Sequence, residues 1–339
     1  MRRPLIRRLP ALLAAALLLP AVAACGVDED DAGLVIYSGR NEKLVKPLLD
    51  DLEKAVGTTV AVRYGESAEL AAQIQEEGGK TKAGLFFSQD AGALGALSSK
   101  GLLAKLPQAS LDKVEPAFRG GAGDWVGTSG RVRVLAYNPG QVAKVPDTVH
   151  DLVKPEWKGK IGYVPTNASF QAFVTGMRVL EGDDATRAWL KGLKANEPKV
   201  YENNLKVLDA VGKGEVSLGL VNHYYWYERV AEKGEDKVGA KIHFLPGGDP
   251  GALVNAAGVG IIKGNDQAPV AQKAVDFLLS AKAQKYFADD TKEYPLAAGV
   301  TSTVKDLPPL SSLEAPKIDL GRLESLQETL KMLQDAGMV

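Results

Sequence analysis

The sequence predicts a mixed α/β fold of two lobes, and three observations carry that expectation. Short apolar runs alternate with amphipathic stretches of helical period; the alternation occurs in two separate blocks; and two extended segments are placed to cross between them. In the first block, "LVIY" (34–37) reads as a buried strand closed by Ser38 and Gly39. Asn41 is placed to cap a helix running to Val56, with Leu44, Leu48, Leu52 and Val56 four apart and Pro47 a candidate for its true start. "TTVAVRY" is a second strand. Ser67 is expected to cap the helix "AELAAQIQEEGG", and "AGLFFS" is a third strand leading into "DAGALGALSSKG".

The second block repeats the pattern. "KIGYVP" is a strand, "ASFQAFVTGMRVLEG" and "DDATRAWLKGLKAN" are helices, and "EVSLGLV" is a strand running into the helix "YYWYERVAEKG". "RVRVLAYNP" and "LVNAAGVGIIKG" are the crossing segments. Two crossings between α/β lobes make a hinge, with a cleft where the lobes face each other.

The N-terminus reads as a targeting segment. Arg2, Arg3, Arg7 and Arg8 precede "ALLAAALLLPAVAA", a charged-then-apolar order too short and Pro-broken for a good membrane span. The run stops at Cys25, the sole cysteine, and "VAAC" followed by Gly26 resembles the lipobox of bacterial lipoproteins. That implies residues 1–24 as signal peptide, Cys25 as the lipidated N-terminus and 25–33 as tether. Without those four arginines, 37 basic residues stand against 42 acidic ones, a net of −5. Nothing in that balance argues for nucleic acid, and no second apolar run argues for a span. An acylated Cys25 leaves no disulfide, so burial must hold the fold.

"VNHYYWYERV" (221–230) sets Tyr224 and Tyr225 side by side at the expected start of a helix. Neighbours in a strand point to opposite faces, but at a helix start they diverge by only about 100°. Free backbone N–H groups and the positive end of the helix dipole favour phenolate there and suit an anion. A small, hard trivalent cation displaces a phenol proton; calcium and magnesium prefer other oxygens. Packing is the competing reading, and it is the one that fits Trp226 and Tyr227. His150, His223 and His243 lack metal-ligand spacing; only His223 adjoins the tyrosines. There is no cysteine pair for zinc, no G-x-S-x-G elbow and no Walker loop, so an enzyme is not expected.

"VNHYYW" resembles the iron-binding motif of the bacterial periplasmic ferric-ion-binding proteins, also called bacterial transferrins. "LVIYSGR", "LAAQIQEEGGK", "SGRVRVLAYNP", "WKGKIGYVPT", "WLKGLKANEPKVYENN", "DPGALVNAAGVGII", "EYPL" and "LQDAGM" resemble that family's blocks in the same order, from about Leu34 to Met338. The resemblance implies a periplasmic-binding-protein (venus-flytrap) fold, with 34–131 plus 255–308 as N-lobe and 132–254 plus 309–339 as C-lobe. It also implies a substrate-binding component of an iron ABC importer, closing over Fe3+ and an exogenous anion such as phosphate, carbonate or citrate. A permease and its ATPase are the implied partners, and a monomer held extracytoplasmically by its lipid is the implied form.

Residue by residue, Tyr224 and Tyr225 fall on the paired ligands. Asn41 stands where members carry a His, and Gln89 where they carry a Glu; both offer only neutral amide oxygens. Asp90 is the neighbouring carboxylate, and Phe170, on the position of an additional Tyr in some members, has no oxygen. Anion contacts carry over to Asn167, Ala168, Ser169, Asn204 and Asn222, with Arg131 placed to neutralise the charge. Loss of the His and Glu types keeps a rival open on the same fold: a receptor for an organic phosphonate, a polyamine or another small solute.

Overall fold

The computed structural model describes residues 28–339; the expected signal segment and Cys25 lie outside them. Among the described residues, ten strands and eleven helices follow one another in two blocks. The first holds β1 (Leu34–Ser38), α1 (Glu42–Val56), β2 (Val60–Tyr64), α2 (Ser67–Glu77), β3 (Leu85–Ser88), α3 (Ala91–Ser99) and α4 (Gln108–Leu111). The long strand β4 (Trp125–Tyr137) leads into β5 (Ile161–Tyr163), α5 (Ala168–Glu181), α6 (Asp183–Ala195), β6 (Lys199–Val200), α7 (Asn204–Lys213), β7 (Leu218–Asn222), α8 (Tyr224–Lys233) and β8 (Lys241–His243). The chain then returns through β9 (Val254–Ile261), α9 (Ala268–Leu278), α10 (Ala281–Asp289), β10 (Tyr294–Pro295) and α11 (Leu326–Asp335).

The strand order is β2-β1-β3-β9-β4-β7-β5-β6, with β8 and β10 also on β4. β1 pairs in parallel with β2 and β3, and β5 with β6 and β7. Parallel neighbours need crossover connections, and the helices between them supply these. β4 belongs to both lobes: residues 125–132 pair with β9 and 133–137 with β7. The changeover falls between Val132 and Arg133, where the Val132 N–H donates to the His223 ring and the Arg133 N–H to the Leu253 carbonyl.

Each lobe has its own apolar core. Leu34, Ile36, Phe86, Leu94 and Val259 anchor the first. In the second, strand alternation sends Leu135 and Leu220 to one face with Phe173 and Trp189, and Val134 and Val221 to the other with Val207 and Val211. Burying each such side chain contributes about 1.5–3 kcal/mol.

Four local expectations change. Pro47 lies inside α1, which begins at Glu42. Ser67 is the first helical residue, not the cap, and its buried hydroxyl accepts the Gln89 N–H at 2.8 Å. The described part of the expected tether lies along the first lobe, Arg63 gripping Glu29 at 2.8 and 2.5 Å and Lys82 bonding Asp30. The C-terminal tail touches both lobes: Leu320 and Leu323 join the first core, Met332 and Leu333 the second.

Candidate functional site

The parallel strands aim their carboxyl ends at one region, where ligands bind in such sheets. Ser169 follows β5, Asn204 follows β6, and Tyr224 and Tyr225 follow β7; from the first lobe come Arg40 after β1 and Gln89 after β3. Only His223 separates Asn222, the last residue of β7, from Tyr224, the first of α8. Strand thus passes into helix with almost no loop, and this holds both phenols at the site.

The rings of Tyr224 and Tyr225 lie 4.1 Å apart between centroids, tilted by 35°. Tyr224 is 3% exposed and Tyr225 is half-buried. Burial pushes Tyr224 well above the ordinary phenol value, with the Tyr225 charge adding to it and Arg131 opposing. Burial also raises Tyr225, against hydrogen bonds from Tyr224 and Asn204 that lower it. In the metal-free protein desolvation thus keeps both phenols protonated, whatever the helix start contributes in the other direction.

Arg131 and Arg133, 1 and 3% exposed, lie close enough for the phenol charges to act on them, and Arg40, 2% exposed, is linked to Arg131 through Glu293. Arg40 Nη2 meets Glu293 Oε2 at 2.7 Å; Arg131 Nη2 lies 3.3 Å from Glu293 Oε1, and its Nη1 donates to the Gln89 carbonyl. Arg133 has no carboxylate. Its Nη1 donates to Asn222 Oδ1 at 3.2 Å, and the charges that raise its pKa are the Tyr225 and Tyr224 phenols, yet burial brings it down to about 10. Arg40 Nε, Gln89 Oε1, Arg131 Nε and Nη2, Arg133 Nη2 and Glu293 Oε1 are buried without a hydrogen-bond partner. Buried polar groups are normally satisfied, so this concentration marks a place built for a ligand.

The other predicted residues divide. Asn204 donates to the Tyr225 hydroxyl at 3.4 Å, and Asn222 donates to Ser169 Oγ at 3.0 Å. Asn167 caps α5, its Oδ1 taking the Ser169 N–H at 3.1 Å, so of these two N–H groups the cap leaves that of Ala168 uncommitted. Gln89 reaches the site through its contact with Arg131. Asn41 is exposed at the start of α1, and its neighbour Arg40 takes the buried position. Asp90 caps α3, accepting the Ala93 N–H at 3.0 Å. Phe170 is core, edge-on to Tyr163 at 5.3 Å. His223, held down to about 4 by burial, stacks on Tyr294 at 4.9 Å. Trp226 and Tyr227 pack as expected, donating to the carbonyls of Ala240 and Asp306.

The profile described as bacterial extracellular solute-binding protein matches residues 80–319. The chain belongs to that family. It is 34% identical over 332 residues to the Fe(3+)-binding periplasmic protein of Serratia marcescens, covering 97% of each chain. The crystal structure of iron-bound HitA from Pseudomonas aeruginosa matches with a TM-score of 0.83 at 36% identity, over 90% of this chain and 99% of that one. A Trichodesmium protein (IdiA, FutA) in complex with iron and citrate matches with a TM-score of 0.76 at 26% identity, over 90% and 99%. The ferric-ion-binding resemblance drawn from the sequence stands, and so does the two-lobed periplasmic-binding-protein fold.

Sequence reasoning about this solute-binding protein missed Arg40, Arg133, Glu228 and Glu293. Arg133 had a signal: "RVRV" puts Arg131 and Arg133 two apart in a strand, hence on one face. Glu228 follows Tyr224 by one helical turn, and burial with the Glu293 charge pushes it up to about 7. Nothing local announces Glu293, which reaches Arg40 across 253 positions of sequence.

Proposed function

We propose that this protein is an extracytoplasmic receptor that binds ferric iron with an exogenous anion and hands it to an ABC permease driven by its ATPase. Tyr224 and Tyr225 supply phenolates. Asn167, Ala168, Ser169, Asn204, Asn222 and Arg131 form the anion side, while Gln89 and Asn41 add neutral oxygens from the first lobe. Closure of the lobe 34–131 plus 255–308 over the lobe 132–254, with the tail 309–339 packed on both, brings these groups together, and cargo shifts the open-closed population. Cys25 carries the lipid that holds the receptor at the membrane. It does no catalysis and works as a monomer.

The observation that supports this most is the paired phenols, side by side at the start of α8 in a buried setting rich in guanidinium. Two packing residues would not need buried Arg131 and Arg133 beside them. Titrating metal-free protein with ferric salt is expected to raise a visible phenolate-to-iron charge-transfer band, which Tyr225→Phe bleaches. A colourless, unchanged wild-type titration overturns the reading.

A further inference from the structure

We infer that the C-terminal tail is a third hinge between the lobes, pivoting at Ser325 and latched to the second lobe by Arg178. This rests on the lobe closure proposed above and adds a connection to the two crossing strands, β4 and β9.

Two docks hold the tail, one on each lobe. The short 3-10 turn Leu320–Glu324 puts Leu320 and Leu323 into the first core, 2 and 1% exposed, and Gly92 leaves room for the Leu323 carbonyl against α3. Met332 and Leu333 of α11 enter the second core. Ahead of the turn, the Gly247 and Gly248 N–H groups of the second lobe donate to Glu314 at 2.6 and 2.9 Å, so the tail runs from that lobe to the first and back again. Between the turn and α11 only Ser325 lies outside a helix, with φ −77° and ψ 41°, neither helical nor extended. One residue thus joins a segment packed in one core to a segment packed in the other. Rotation there disturbs neither core, and hinges place their φ/ψ change in such element-terminal residues.

Arg178 is placed to govern that rotation. Its Nη1 donates to the Ser325 carbonyl at 2.8 Å, to the Ser325 hydroxyl at 3.3 Å and to Thr329 Oγ1 at 2.9 Å. Its Nε meets Asp183 Oδ1 at 2.9 Å, which fixes the guanidinium from the other side. Thr175, also on α5, pairs with Thr329 through their hydroxyls at 2.8 Å, and both residues are fully buried. The tail helix is therefore bound to α5, the helix whose first turn carries Ala168 and Ser169 at the candidate site. The Thr329 N–H reaches the Ser325 carbonyl at 3.4 Å, a long bond that leaves the first turn of α11 weak beside the pivot. A cavity of about 250 Å3 adjoins it, lined by Glu66 and Glu69 from the first lobe, Gln171 from the second, and Leu323, Leu326 and Leu330 from the tail. That space gives the lobes room to rotate where the tail keeps them joined.

The test uses the full mature receptor, stripped of metal and then loaded with ferric citrate. Hydrogen exchange on the wild type needs no substitution: loading is expected to change the protection of the amides of residues 325–329 about tenfold, while those of Met332 and Leu333 keep theirs. Arg178→Met removes the guanidinium and keeps the aliphatic stem; Ser325→Gly frees the backbone at the pivot. Each is expected to release ferric ion to a competing chelator about fivefold faster and to enlarge the radius of gyration of the metal-free form in solution scattering, with the loaded form unchanged. A merely structural latch would lower the melting temperature without moving release or scattering, and that result overturns the inference. Unchanged exchange at 325–329 in a wild type that binds iron also overturns it while leaving the proposed function intact, and this holds even if Arg178→Met fails to fold. Absence of ferric binding overturns the function and this inference together.

Discussion

Arg40 Nη2 lies 2.7 Å from Glu293 Oε2, and both side chains are fully buried. Ser129 and Thr291 donate to that same oxygen at 2.9 and 3.1 Å, so one carboxylate ties together the end of β1, the hinge strand β4 and the approach to β10. Glu293→Gln keeps the shape but strands two buried guanidinium groups. The expected cost is about 3–5 kcal/mol, read from urea unfolding at neutral pH. Burial pushes this carboxyl up, but Arg40 and Arg131 outweigh it and the folded pKa is depressed. Its contribution is therefore present above the ordinary carboxylate value and lost as pH falls through the folded one. The gap between wild type and variant should narrow in acid; a gap constant with pH would show that the charge is not what Glu293 contributes.

Proton release tests the phenols directly. Both are raised, so both are neutral at pH 7, and coordination must expel a proton from each. Loading with ferric citrate in weak buffer should release one proton fewer from Tyr224→Phe than from wild type, and likewise from Tyr225→Phe. Identical release from all three proteins would mean that neither oxygen ionises on binding.

The fold was legible because parallel strands buried on both faces write themselves as apolar runs, such as "LVIY" and "LGLV", with helical periods between them. The tyrosine pair was legible because adjacency at a strand-helix junction is a local property. Long-range chemistry was not. Arg40 and Glu293 meet only through the fold, and nothing in the residues around Asn41 marked Arg40 as buried. Ser67 looked like a cap by residue type, yet its hydroxyl was committed to the Gln89 N–H just past the end of β3. Nor could the sequence show how far burial raises the Tyr224 phenol, since burial is set by tertiary packing.

Glu228 gives a second test with the opposite sign of pH dependence. Burial and Glu293 raise its pKa to about 7, so the folded state favours the protonated form. Stability from this group is full below the ordinary glutamate value of about 4.3 and is lost as pH climbs through 7. Glu228→Gln removes that penalty. In the metal-free protein it should raise the melting temperature at pH 8 and leave it nearly unchanged at pH 4, with roughly 2–4 °C for each kcal/mol recovered. An equal shift at both values would point to packing instead of charge.

The tail crossing between lobes rests on a glycine. A Cβ built on Gly92, in the first turn of α3, would stand 2.6 Å from the Leu323 carbonyl oxygen, a backbone atom that cannot swing away. Leu320 and Leu323 are core residues of the first lobe, whereas Met332 and Leu333, one short helix later, belong to the second. Gly92→Ala must therefore displace either α3 or the turn Leu320–Glu324 that leads the chain from one lobe to the other. Overpacking of this kind costs about 1–3 kcal/mol. Gly121 is the control: a Cβ there meets nothing within 4 Å and its φ lies outside the left-handed region, so Gly121→Ala should stay within about 0.5 kcal/mol of wild type. Urea midpoints separate the two. If Gly92→Ala unfolds where Gly121→Ala does, the turn moves at no cost, and the tail is a loose strap instead of a packed part of the first lobe.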